Sequence, residues 1–80
     1  MMNKIQNELA LGHCVTWTYK GQNCGIDPFW SINDDTYHYD MWYGDDLTGF
    51  SDTNGLLTAA FFDGKTIIEI LSDVVDLDVE

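Results

Sequence analysis

The sequence predicts a single α+β domain spanning residues 1–80, in which helices cover one face of a three-stranded antiparallel meander. Three observations predict this fold. The 80 residues are 45% hydrophobic and include three tryptophans and four tyrosines, which is enough apolar material for one core. The middle of the chain alternates apolar and polar residues around two turn signals. Both ends space their apolar residues as helices do, so helices are expected to flank the meander.

The first predicted element is a short amphipathic helix. Met2, Ile5 and Leu9 recur at helical spacing, and Gly12 follows as a C-terminal stop. Because an isolated helix of this length is not stable in water, its apolar side must pack on the rest of the domain.

The three predicted strands pair through two turns. Apolar residues alternate with smaller or polar residues over 14–19, as in a half-buried strand. We take Lys20-Gly21 and Asn33-Asp34 as the centres of the turns, and this choice fixes the register. The pairs expected on the apolar face are Val15–Ile26, Trp17–Cys24, Ile26–Met41 and Pro28–Tyr39.

The same register predicts an unusual opposite face, on which Asp27 faces Asp40, Phe29 faces His38 and Gly25 faces Trp42. Like charges opposite each other destabilise a sheet unless solvent, a cation or a partner's lysine or arginine relieves them. Asp27 and Asp40, with His38 and Trp42, are therefore a candidate contact patch. Two alternatives are that both carboxylates are merely solvated, or that Asp27, His38 and Asp40 bind a metal ion. No spacing signature favours a metal, and no cofactor is expected.

The cysteines and the N-terminus indicate the compartment. The register separates Cys14 and Cys24 by about 10 Å, which is beyond disulfide reach, and two thiols fit a reducing environment. No apolar run approaches the ~20 residues that span a bilayer, and the start of the chain lacks the apolar run of a signal peptide. The expected location is the cytoplasm.

Residues 51–62 allow two structures. Ser51 suits the N-cap of a short helix that carries Leu56, whereas Asn54-Gly55 is a hairpin signal that turns the following residues into a fourth strand. We favour the helix.

The C-terminal segment is predicted to be a longer helix. Thr66 and Glu69 have capping-box spacing, and apolar residues follow at helical periodicity. If the helix reaches residue 80, it aligns Glu69, Asp73, Asp76 and Glu80 as an acidic stripe. Neighbouring carboxylates in that stripe are about 5–6 Å apart. The alternative is an ordinary solvated helix face.

The charge is the strongest functional signal. The chain contains 14 aspartates and glutamates, three lysines and no arginine, which gives a formal net charge of −11. Such a chain is repelled by nucleic acid and by anionic membranes and attracted to cationic surfaces. No catalytic motif is present, so we expect a binding protein and not an enzyme.

The sequence therefore predicts a small acidic protein-binding module that inhibits or regulates a basic nucleic-acid-binding protein, for example a nucleic-acid enzyme, by presenting a DNA-mimic carboxylate surface. The alternative is a self-associating structural protein, a homodimer through its Phe29/Trp42 face, whose charge serves only solubility. The expected partner-binding residues are Glu69, Asp73, Asp76, Glu80, Asp45, Asp46, Asp27, Asp40 and Trp42.

Three segments carry a resemblance: the Tyr/Trp-rich strand 37–43, residues 51–62, and Asp63-Gly64-Lys65-Thr66 with the apolar residues after it. Together they resemble small acidic proteins of Firmicutes and their phages, which share a meander and a closing "DGK-T/S" helix. The resemblance implies that fold and a mobile-element setting. In charge and size alone, the chain is also similar to phage-encoded nuclease inhibitors, including anti-CRISPR proteins, and this likeness transfers no functional residues.

Overall fold

The computed structural model describes residues 2–79 and contains a five-stranded antiparallel sheet with three short helices. Glu80 and the side chains of Met2 and Asn3 lie outside the described residues. The helices are α1 (Met2–Ala10), α2 (Thr53–Thr58) and α3 (Ile67–Ile70), with a 3₁₀ turn at Leu71–Asp73. The strands are β1 (Val15–Tyr19), β2 (Gln22–Ser31), β3 (Thr36–Tyr43), β4 (Asp46–Phe50) and β5 (Val75–Val79). Their order in the sheet is β4-β3-β2-β1-β5.

The predicted meander and its register are confirmed. Strand β1 pairs with β2, and β2 with β3, so that Trp17 lies opposite Cys24 and Ile26 opposite Met41. The first turn has positive φ at both Lys20 (52°) and Gly21 (73°), the backbone that matches the twist of a two-residue hairpin. The second connection is residues 32–35, centred on the predicted Asn33-Asp34.

The predicted number of strands, three, was too small, because β4 and β5 extend the sheet on both sides. Strand β4 returns from β3 through Gly44, whose φ of 58° suits a tight turn, and it pairs over five residues. Strand β5 pairs with the other side of β1. The coarse fold class, a sheet with a few short helices, is confirmed.

The predicted long C-terminal helix is wrong beyond the 3₁₀ turn. Helix α3 ends at Ile70, and the chain then re-enters the sheet as β5. Val75, Leu77 and Val79 alternate with aspartates, a period of two that suits a strand, and valine favours a strand over a helix. Asp76 has a φ of 55° and lies in an irregular stretch where the register between β1 and β5 shifts.

The short helix in residues 51–62 is confirmed as α2, but its N-cap differs from the prediction. The Asp52 side chain accepts a hydrogen bond from the Gly55 N–H at 2.7 Å, so Asp52 and not Ser51 caps the helix. Asn54-Gly55 lies inside this helix and does not form a hairpin. The buried side chain of Leu56 anchors α2 on the core.

The core lies between the helices and one face of the sheet, as predicted. Ile5 and Leu9 of α1 are fully buried, and Gly12, with a φ of 82°, follows the end of that helix and lies against the Tyr37 hydroxyl. The remaining buried apolar residues are Val15, Trp17, Tyr19, Cys24, Ile26, Tyr39, Met41, Leu56, Phe62, Ile67 and Ile70. In residues 2–79, none of the helices has the length and apolar character needed to cross a membrane.

Candidate interaction surface

The helices leave the second face of the sheet uncovered. Because side chains alternate along strands, the residues between the core positions point to this side. We call it the open face and define it by Thr16, Thr18, Asn23, Gly25, Asp27, Phe29, His38, Asp40, Trp42, Leu47, Gly49, Val75 and Asp78. Phe29, Leu47 and Val75 are 43%, 64% and 56% exposed, so the open face combines apolar and acidic side chains.

Trp42 forms a fixed platform in the middle of the open face. Its ring covers Gly25 so closely that a Cβ at residue 25 would overlap it. The indole Nε1–H donates a hydrogen bond to Asn23 Oδ1 at 2.7 Å. Leu47 lies opposite Trp42 on β4. Packing on Gly25 and one hydrogen bond therefore hold the half-buried ring against the sheet.

One row of the open face is acidic. Asp27 of β2 lies directly opposite Asp40 of β3, as predicted, and Gly49 of β4 lies on the other side of Asp40. A Cβ built on Gly49 would lie 3.5 Å from Asp40 Oδ1, so this carboxylate reaches over the glycine towards the sheet edge. We call Gly49, Asp40 and Asp27 the acidic row. His38 does not relieve these charges, because its Nε2 contacts Asp34 Oδ2 at 2.7 Å.

The acidic row is not part of a metal-binding cluster among the residues that the structure describes. Among residues 2–79, no group of three or more His, Cys, Asp and Glu side chains is placed to hold a metal ion. The alternative metal site of Asp27, His38 and Asp40 therefore has no support in the geometry. That part of the chain also contains no pocket, so the candidate site is a surface.

No disulfide joins Cys14 and Cys24. Cys24 is buried in the core, and its burial raises the pKa of its thiol. A raised pKa keeps the sulfur protonated and unreactive, which indicates a structural role for this side chain.

All three lysines lie outside the strands. Lys20 Nζ is 3.2 Å from Asp63 Oδ2, and the Tyr43 hydroxyl donates to the same oxygen at 3.0 Å. These two hydrogen bonds, from Lys20 first, lower the pKa of Asp63, with a smaller contribution from the charge of Lys65. Lys4 is exposed on α1. Because no strand contains a lysine, the negative charge of the open face has no lysine on its own face to offset it.

Glu69, Asp73 and Asp76 of the predicted acidic stripe do not share one helix face. Glu69 lies on α3, on the helix-covered side of the sheet, whereas Asp73 ends the 3₁₀ turn and Asp76 lies in the irregular part of β5. Glu80 lies outside the described residues. The one-turn spacing required a continuous helix, which the strand replaces. Asp45 and Asp46 are exposed at the turn between β3 and β4. Of the predicted site residues within 2–79, the structure therefore brings together only Asp27, Asp40 and Trp42.

Glu69 has a structural role that the sequence predicted. The Thr66 N–H donates to Glu69 Oε1 at 2.9 Å, and the Glu69 N–H donates to Thr66 Oγ1 at 3.3 Å, which completes a capping box. The hydrogen bond from the Thr66 backbone, followed by that from its hydroxyl, lowers the pKa of Glu69. The stabilisation linked to this carboxylate is fully present above its unfolded-state pKa and is lost as the pH falls through the lowered folded-state pKa.

Replacing Thr66 with alanine is expected to lower the free energy of unfolding by about 1 kcal/mol, because the Glu69 N–H loses its acceptor at the start of α3. Thr66→Ser keeps the hydroxyl and should cost much less. Urea unfolding followed by circular dichroism measures both variants. Equal losses for serine and alanine would show that the methyl group of Thr66, and not its hydroxyl, matters.

Sequence reasoning missed the four members of the open face that lie on the outer strands: Leu47, Gly49, Val75 and Asp78. Gly49 weakens the strand signal of β4, because glycine is unfavourable inside strands. The turn signal Gly44-Asp45 directly after an aromatic strand was available and predicts a hairpin. For Asp78, the signal was the alternation of valine, leucine and aspartate in residues 75–79.

Comparison with known proteins returned nothing similar: no protein-family model, curated protein or solved structure matches this chain. The resemblance to small acidic proteins of Firmicutes and their phages therefore stays a prediction. The functional argument rests on the charges, the register and the contacts of the open face.

Proposed function

We propose that this protein is a small acidic protein-binding module that occupies the nucleic-acid-binding surface of a basic protein and so inhibits or regulates it. The observation that carries the proposal is the distribution of charge. Fourteen carboxylates face three lysines, and all three lysines lie outside the strands. A partner with a lysine- and arginine-rich surface relieves this repulsion, whereas nucleic acid increases it.

Carboxylates at two places support this proposal. Asp27 and Asp40 lie side by side on the open face, and Asp45 and Asp46 are exposed at the turn between β3 and β4. They act as substitutes for backbone phosphates, which basic nucleic-acid-binding proteins contact through arginine and lysine. Their field steers the partner into contact and raises the association rate by roughly 10- to 1000-fold at low salt.

Charge steers the encounter, and desolvated aromatic contacts retain the partner. Trp42 is held flat on the open face, and Phe29 is 43% exposed two residues beyond Asp27. Aromatic side chains near the centre of an interface contribute much of its affinity. The absence of a disulfide between Cys14 and Cys24 fits a reducing setting, so we place the activity in the cytoplasm, where the nucleic-acid enzymes that such a module would inhibit are found.

The test uses the immobilised protein and a bacterial lysate, with bound proteins identified by mass spectrometry. We expect a basic nucleic-acid-binding protein that is retained at low salt, released at high salt and displaced by duplex DNA. The retained protein is then purified, and its nucleic-acid binding is measured with and without the acidic protein. Competition between the two ligands is the result that supports the proposal.

Two results contradict it. If no retained protein responds to salt and DNA, the charge has another role, and concentration-dependent sedimentation then tests the self-associating alternative. If a retained protein binds the acidic protein and DNA simultaneously, the mimicry is wrong even though the interaction is real.

A further inference from the structure

The open face offers a specific docking arrangement for a basic partner. We infer that the partner docks on this face and inserts an arginine side chain over Gly49 onto Asp40 and Asp27. The inference rests on the proposed function and adds to it the surface and the type of residue that it recognises.

The acidic row forms a shallow path from the edge of the sheet inwards. Gly49 has no side chain to block the path, and the Asp40 carboxylate reaches over it. Asp27 follows one strand further in, at a spacing of about 4.8 Å. A long cationic side chain entering from the β4 edge therefore meets one carboxylate and then the other.

Aromatic rings lie on both sides of this path. Trp42 is two residues from Asp40 in one direction, and the Phe29–His38 pair, with ring centroids 5.8 Å apart, lies in the other. A guanidinium group suits this setting because it is planar, stacks on aromatic faces and donates several hydrogen bonds to carboxylates. An ammonium group has the charge but not the planar shape, so arginine is preferred to lysine.

Charge decides which occupant covers this face. A second copy of the chain related by a twofold axis would bring a second set of Asp27 and Asp40 carboxylates, and another formal charge of −11, against the first. In residues 2–79, no hydrogen bond or ion pair relieves Asp27 or Asp40. A cationic protein surface supplies the missing counter-charge.

The side of entry follows from the difference between the two edges of the sheet. The register between β5 and β1 shifts at Asp76, so the β5 edge of the sheet is irregular. Strand β4 pairs regularly with β3 over five residues, and its edge beside Gly49 is open. The partner therefore approaches the acidic row from the β4 side.

The test measures binding of an arginine-rich peptide with blocked ends, and of its lysine counterpart of equal length, by isothermal titration calorimetry. Asp27→Asn/Asp40→Asn removes the paired charges, and Gly49→Ile covers the path while keeping every charge. Gly49 has no positive φ, and isoleucine favours strands, so this second variant should fold. Asp73→Asn/Asp76→Asn is the control, because it removes two exposed charges elsewhere and asparagine tolerates the φ of Asp76.

We expect the arginine peptide to bind more tightly than the lysine peptide. Both open-face variants should weaken its binding by about tenfold or more, and the control by about twofold. The paired asparagines should also raise Tm by about 1–5 °C, because they remove like charges that face each other. A purely structural role for Asp27 and Asp40 predicts a lower Tm instead.

Equal, small effects of all three variants would show that binding is diffuse, which overturns this inference and leaves the proposed function in place. Tight binding by Gly49→Ile would exclude entry over the glycine. Absence of binding to both peptides at low salt, together with no salt-sensitive partner in the lysate, overturns the inference and the proposed function alike.

Discussion

Replacing Phe62 with alanine is expected to destabilise the protein by about 3–5 kcal/mol, the largest effect of any single substitution discussed for this chain. Phe62 is fully buried and lies between the helices and the sheet. Its ring centroid is 5.9 Å from that of Trp17, 6.4 Å from that of Tyr19 and 5.6 Å from that of Tyr43. Alanine leaves a cavity that these large rings cannot all collapse into, so much of the modest stability of a small domain is lost.

Phe61→Ala is the matched control, because it removes the same side chain one residue away. Phe61 is only partly buried, so its replacement should cost about 1 kcal/mol. Urea unfolding monitored by circular dichroism compares the two variants. Similar losses for both would mean that Phe62 is not the centre of the core.

The register of the meander could be predicted from the sequence because two independent constraints agree. Residues alternating along β1 fix which side chains share a face, and Lys20-Gly21 fixes the centre of the turn. Once Asn33-Asp34 is placed at the centre of the second turn in the same way, the pairs Asp27–Asp40 and Gly25–Trp42 follow. The central part of the candidate site was therefore predictable.

The outer strands were harder to predict because these segments form strands only through pairing with β1 and β3. Strand β4 is exposed along most of its length, so no apolar alternation marks it. The C-terminal segment carries two compatible patterns, since the Thr66–Glu69 capping box starts a helix while residues 75–79 alternate as a strand. A longer helix would place aspartates near its negative C-terminal end, whereas the free edge of β1 offers hydrogen bonds to a strand. The chain therefore leaves the helical conformation after about one turn and pairs with β1 as a strand.

This difference explains which residues of the open face were missed. Asp78 and Leu47 reach the open face only through pairing between distant parts of the chain. By contrast, the predicted stripe of Glu69, Asp73 and Asp76 depended on a local periodicity that tertiary pairing overrides. The charge was visible in the composition, but its arrangement depends on the topology of the sheet.

Replacing Gly25 with alanine is expected to destabilise the protein by about 1–3 kcal/mol, although residue 25 lies in an ordinary strand backbone. The cause is the Trp42 ring, which occupies the space of the new Cβ. The ring must leave the sheet, so it loses its packing on the backbone and its hydrogen bond to Asn23. Urea unfolding of the single variant measures this cost.

The effect should reverse when Trp42 is already alanine. In that background the new Cβ meets no ring, and replacing a glycine inside a strand should stabilise the protein by about 0.5–1 kcal/mol. The double-mutant cycle then gives a coupling of about 1.5–4 kcal/mol between residues 25 and 42. The same destabilisation in both backgrounds would mean that the backbone at residue 25 requires glycine, and that the Trp42 ring is not the cause. A coupling of the expected size means that Gly25 holds the Trp42 platform against the sheet, so Gly25→Ala should also weaken binding of the arginine-rich peptide while every carboxylate stays in place.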